Sequence, residues 1–226
     1  MAFFYKTVLV VLCLSLPAAR AFQIDTLTRV IDKDNEYLEI TGDHDREYIY
    51  TQLTQIFTDN KESVREVPLN PEQVSAWPVI VEPGEIVLDN GDKVRVRITR
   101  NGPRRDEDIV LGLAFIPEKV SGKPAKSLGL QISVGYKAWL FIPGKAPLQG
   151  LVTAHKENGK LVIDNATNKI LRIVPGGCDA GIKEECAGSV ISLPGLRKQI
   201  TVAEGIRTLD IYMIDDSQEK IKVITL

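Results

Sequence analysis

The chain has 226 residues, 44% hydrophobic and 26% charged, with 17 Gly, 12 Pro, 3 Cys, 2 His and a formal net charge of -2. That apolar fraction excludes a disordered chain, and so few cysteines exclude a disulfide-built miniprotein. The near-neutral charge gives no electrostatic reason to expect nucleic acid or an anionic membrane as a partner.

Residues 1–21 read as a secretory signal. Lys6 supplies a thin positive start, Thr7 to Leu16 is an apolar run too short to span a bilayer, and Ala19-Arg20-Ala21 is an A-x-A cleavage site. Cleavage after Ala21 would release an exported mature protein beginning at Phe22. It would also remove Lys6, Arg20 and Cys13 but no carboxylate, leaving a more acidic chain with one cysteine pair, Cys178 and Cys186. In an exported protein that pair suits a disulfide better than a metal site, because no His or further Cys lies near it.

Period-two alternation with turn signals between the runs predicts strands along most of the chain beyond the signal. Tyr37–Ile40 and Ile49–Ile56 are the first two, separated by the polar turn Gly42-Asp43-His44-Asp45. Pro78–Val81, Ile86–Leu88 and Val94–Ile98 come next, broken by Pro83-Gly84 and Asp89-Asn90-Gly91-Asp92. Ile109–Ile116 is continuously apolar, as a central strand is. Leu128–Tyr136 alternates strictly and runs on through Trp139–Ile142.

Two prolines around a glycine at 143–147 read as a linker. Beyond it, Leu161–Ile163, Ile170–Val174, Gln199–Val202, Thr208–Ile214 and Lys220–Ile224 predict a second set of strands. The expectation is an all-β chain of two sandwich domains, residues 22–143 and 147–226.

The motifs of catalysis are missing: no G-x-S-x-G, no H-E-x-x-H, no G-x-x-x-x-G-K. His44 and His155 lie in polar contexts and read as solvated residues, and the run Asp106-Glu107-Asp108 reads as solvated surface. No enzyme, cofactor, metal or small-molecule substrate is expected. Asn165-Ala166-Thr167 fits a glycosylation sequon, of consequence only in a eukaryotic secretory pathway.

In strand 128–136 the side chains of Leu128, Leu130, Ile132 and Val134 share one side, and Gly129, Gln131, Ser133 and Gly135 the other. On periodicity alone this is a half-buried strand of the protein's own core.

The order of segments adds a second reading. Thr28-Arg29-Val30 resembles a T-R-[AV] first-strand motif, and Pro78–Leu88 followed by Val96-Arg97-Ile98 resembles an F-I-V-T-P-P…R-L…R-[LI] region. Ile109–Pro117 resembles a hydrophobic strand ending in I-P, Leu130 through Lys137 to Pro143 resembles the long last strand of an N-terminal domain, and Leu161–Thr167 sits where a strand ends in N-P-T. Together they resemble the periplasmic pilus-assembly chaperones of the chaperone-usher pathway, the PapD-like superfamily.

That resemblance implies two immunoglobulin-like β-sandwich domains set as an L. It implies that Leu128, Leu130, Ile132 and Val134 form a donor strand filling the groove of a pilin subunit, and that Arg29 and Lys137 anchor the subunit's C-terminal carboxylate, with Arg97 as the fallback cation. It implies as partners fimbrial subunits and an outer-membrane usher, with self-association of the free chaperone. Ile142 stands where many members carry an Arg of an interdomain salt bridge, and the pair Cys178 and Cys186 points to an alternative or CS1-like branch. The alternative is a secreted two-domain β-sandwich adhesin or surface-binding protein.

Overall fold

The computed structural model describes residues 22–43, 46–118, 134–176, 188–201, 205–215 and 220–226. The signal segment, Leu128, Leu130, Ile132, Cys178 and Cys186 lie outside the described residues.

The first half holds β1 (Gln23–Ile24), β2 (Thr28–Val30), β3 (Asn35–Thr41), β4 (Glu47–Asn60), β5 (Ser63–Pro68), β6 (Val79–Glu82), β7 (Glu85–Leu88), β8 (Lys93–Arg100), β9 (Ile109–Glu118) and β10 (Tyr136–Ile142). A 3-10 turn at Pro71–Ala76 is capped by Asn70, whose side chain accepts from the Glu72 N–H. One sheet has the order β1-β3-β8-β6 and the other β2-β10-β9-β4-β5, with β7 also paired to β4. Between them lies a core that includes Leu38, Ile49, Leu53, Val96, Leu111, Leu113, Phe115 and Leu140.

The second half holds β11 (Gly150–Glu157), β12 (Lys160–Thr167), β13 (Leu171–Gly176), β14 (Val190–Ser192), β15 (Arg197–Thr201), β16 (Thr208–Met213) and β17 (Lys220–Thr225). Its sheets are β11-β12-β15 and β14-β13-β16-β17, closed over Leu161, Ile163, Ile173, Leu209 and Ile211. The fold is therefore all-β with two sandwiches, and no helix among the described residues is long and apolar enough to cross a membrane.

A third apolar cluster joins the two sandwiches. Alternation along β9 and β10 turns Leu111, Leu113, Leu140 and Ile142 into the first core, and so turns Val110 and Phe141 outward. Those outward residues, with Ile56, Val30 and Trp139, meet Ile170, Ile191, Leu193, Leu196 and Ile214 of the second half. The continuous apolar run of β9 follows from this, because both of its faces are covered.

Beside that cluster a buried ion pair ties the halves together. Asp108, whose side chain is 2% exposed, accepts hydrogen bonds at Oδ1 from the Gly144 N–H (2.8 Å) and the Lys169 ammonium (2.9 Å), and at Oδ2 from the Ile170 N–H (2.8 Å). Gly144 is required there, since a Cβ would come within 2.2 Å of the Asp106 carbonyl oxygen. The charge-run reading of Asp108 is corrected by this geometry: a carboxylate with three donors is stable in a dry site, whereas one without them is not.

Asn165, read from sequence as a sequon, is fully buried. Its amide donates to the carbonyls of Lys169 (2.9 Å), Ser192 (3.1 Å) and Leu193 (3.0 Å), and its Oδ1 accepts from the Thr167 hydroxyl (2.6 Å). These bonds shape the turn that presents Lys169 and Ile170 to Asp108.

β10 begins at Tyr136, so Val134 lies just before the strand and is 41% exposed. Edge strands β5 and β11 had no sequence expectation, because their burial does not alternate in a way that leaves an apolar stripe.

Removing the Asp108 carboxylate would leave the Lys169 ammonium buried and unpaired. Asp108→Ala is expected to lower the unfolding free energy by about 3–5 kcal/mol, measured as the urea midpoint at constant m. A loss below about 1 kcal/mol, the range of exposed ion pairs, would refute that role.

Candidate functional site

The site starts from the hydrogen bonding of β10. Toward β9 it is antiparallel and paired along its whole length, from Tyr136 opposite Phe115 to Ile142 opposite Ile109. Toward β2 it is parallel and paired only at Trp139, Leu140 and Phe141, opposite Thr28, Arg29 and Val30. The Trp139 N–H donates to the Leu27 carbonyl (2.8 Å), which makes odd-numbered residues face β2 with their backbone groups. One step earlier the same edge presents the backbone of Lys137, and among the described residues no strand pairs with it.

Lys137 lies on the outward face of the sheet, the face carrying Trp139 and Phe141. Its side chain crosses β9 above Gly112 and meets Glu66 of β5. The Thr54 hydroxyl of β4 sits beneath, 3.4 Å from Glu66 Oε2 and 3.3 Å from the Gly112 carbonyl oxygen. A Cβ at position 112 would come within 3.0 Å of Lys137 Cδ and 2.8 Å of Thr54 Oγ1, so glycine makes the track over which the lysine runs.

Arg29 pairs with Leu140 and therefore leaves the opposite face of the sheet from Lys137. Its Nη2 donates to Asp25 Oδ2 (2.9 Å), whose Oδ1 accepts from the Glu39 N–H (3.1 Å). Arg29 Nε is buried with no hydrogen-bond partner among the described residues. The two cations flank the open step of β10 from either face without touching each other.

Arg97 stands elsewhere, on β8 of the other sheet, where it donates to Glu82 (2.6 Å). That hydrogen bond and charge hold its guanidinium pKa above the ordinary value. His155 is solvent-exposed beside Glu157, and among the described residues no group of His, Cys, Asp and Glu could hold a metal ion. Ile142 is buried in the first core, and the ion pair joining the halves comes from Asp108 and Lys169 instead.

Between the sandwiches lies a cleft of about 530 Å³, bordered by Thr28, Trp139, Phe141, Leu193, Leu196 and Lys198. It lies on the same outward face as Lys137 and Glu66. Of the residues that build this site, Gly112 carried a sequence signal, an isolated glycine within an apolar run. Glu66 and Thr54 carried none, because their role depends on which strands are neighbours.

The family model of the CS5 fimbrial protein N-terminal domain matches residues 24–143. A 25.9 kDa protein of the CS5 3′ region of Escherichia coli is 28% identical over 184 residues, covering 80% of this chain and 81% of that protein. The class 5 fimbriae chaperone CfaA shares the fold with a TM-score of 0.55 at 14% identity, over 91% of this chain and 97% of that one. A chain of the SafA pilin–SafB chaperone complex of Salmonella enterica does so with a TM-score of 0.52 at 13% identity, over 93% and 99%.

A zero-length carbodiimide cross-link joins an amine and a carboxylate in contact, so Lys137 and Glu66 are expected to yield one tryptic cross-link by mass spectrometry. Gly112→Ala should reduce it severalfold while leaving the fold intact. A cross-link of equal yield in the variant would show that the lysine does not depend on the glycine track.

Proposed function

The chain belongs to the family of the CS5 fimbrial protein N-terminal domain, and from that premise we propose that it is a periplasmic chaperone for fimbrial subunits. It binds a subunit by donor-strand complementation and delivers it to an outer-membrane usher. The observation that carries this reading is the open step of β10 at Lys137, directly before β2 closes the same edge.

β2 blocks the edge from Trp139 onward, so a guest strand added to the earlier part of it must stop there. If the guest runs parallel to β10, as β2 does, its C-terminus arrives at the start of β2, between the faces carrying Arg29 and Lys137. A terminal carboxylate is the anion such a place would receive. Leu128, Leu130, Ile132 and Val134 supply the apolar part of the contact. Their even numbering continues into Ala138, Leu140 and Ile142, which point into the first core. Four such side chains contribute roughly 6–12 kcal/mol of gross burial before the costs of association.

The remaining expectations join the proposal: a signal removed after Ala21, a first domain over 22–143, a second over 147–226, and a disulfide between Cys178 and Cys186. Arg97 ranks below Arg29 and Lys137 as an anchor, since it lies on the other sheet and is already held by Glu82.

Expressed in the periplasm with the subunits of its own gene cluster, the chain is expected to co-purify with a small fimbrial subunit. Lys137→Ala should reduce that complex about 10- to 100-fold, the worth of a charge-assisted hydrogen bond, and Ile132→Asp should abolish it. A chain that purifies alone, while its subunits accumulate normally without it, would overturn the proposal.

A further inference from the structure

Lys137 and Glu66 belong to strands three spacings apart in the order β10-β9-β4-β5, about 14 Å across the sheet. Two side chains cover that span only when both are extended toward each other. The lysine therefore lies flat over Gly112, and its ammonium points away from the open edge of β10. Thr54 braces the carboxylate from below.

We propose that Glu66 is a stand-in for the subunit's C-terminal carboxylate: it holds the Lys137 ammonium in the unloaded chain and gives it up when a strand terminus docks. This rests on the reading of Lys137 as a carboxylate anchor. The strength of the pair suits an exchange. Lys137 and Glu66 are 36% and 37% exposed, so water screens them and the contact is weak. An incoming carboxylate fixed to a strand already paired with β10 competes at high effective concentration and in a drier setting. Rotation about the lysine stem is all the change the protein needs, because the Lys137 backbone already faces the open edge.

The device also selects. A strand whose chain turns away from the sheet at β2 and continues offers no carboxylate, and Glu66 then keeps the lysine. Only a chain terminus repays its release.

The test uses a synthetic peptide carrying the C-terminal strand of a fimbrial subunit, made as the free acid and as the amide, titrated against the full mature chain. Glu66→Gln is expected to tighten the acid about two- to fivefold, the worth of an exposed pair, and to leave the amide unchanged. Combined with Lys137→Met, the gain should vanish. If Glu66→Gln weakens or fails to change binding of the acid while Lys137→Met weakens it, the stand-in role is wrong and the anchor stands. A gain that persists beside Lys137→Met would also overturn it, as a general charge effect. If Lys137→Met leaves the acid unaffected, the anchor reading itself falls.

Discussion

Backbone hydrogen bonding sets the terms for this molecule. A strand inside a sheet needs a partner on each edge, and β10 has one along its full length toward β9 but only half a partner toward β2. β2 is short because the chain changes sheets just before it: β1 pairs with β3 in one sheet, β2 with β10 in the other. Asp25 secures that crossing, bonded through its backbone N–H to Glu39 and through its carboxylate to Glu39 and Arg29. Arg29 thus has a structural task at the place where the open edge begins.

The second sandwich takes up part of the face that this sheet turns outward. Phe141, Val110 and Ile56 are covered by Ile170, Leu193 and Ile214, and Asp108 fixes the position by bonding at once to the linker and to the second half. Asn165 does the complementary work from the other side, holding the turn that carries Lys169. Beyond the covered area the face continues as the cleft and the Lys137–Glu66 track. One sheet therefore supplies the wall of a core, the seat of a neighbouring sandwich and the edge on which a guest strand is proposed to dock.

Strands with one buried and one solvated face were legible in the sequence. β3, β8 and β16 fall where the alternation puts them, and the unbroken apolar run of β9 announced a strand covered on both faces. β5 and β11 were not legible, since an edge strand with little burial has no stripe to detect. Asp108 was misread because a carboxylate in a charged run looks the same whether it meets water or three donors; only the approach of Gly144, Lys169 and Ile170 decides. Asn165 showed only its sequon spacing, which is also that of a buried side chain tying its own turn, so its structural task was not legible. Lys137 was legible as a position on the last strand, but its partner was not, because Glu66 lies 71 residues away and three strands across.

Amide hydrogen exchange at Lys137 tests the open edge most directly. Its N–H faces the side of β10 on which, among the described residues, no strand pairs with it, while the Trp139 N–H on the same edge is already bonded to Leu27 and serves as an internal reference. On addition of a fimbrial subunit, the Lys137 amide should become protected by at least about an order of magnitude, with Trp139 little changed. Protection that appears elsewhere, as on the β11 edge, with Lys137 exchanging as before, would contradict docking at this edge.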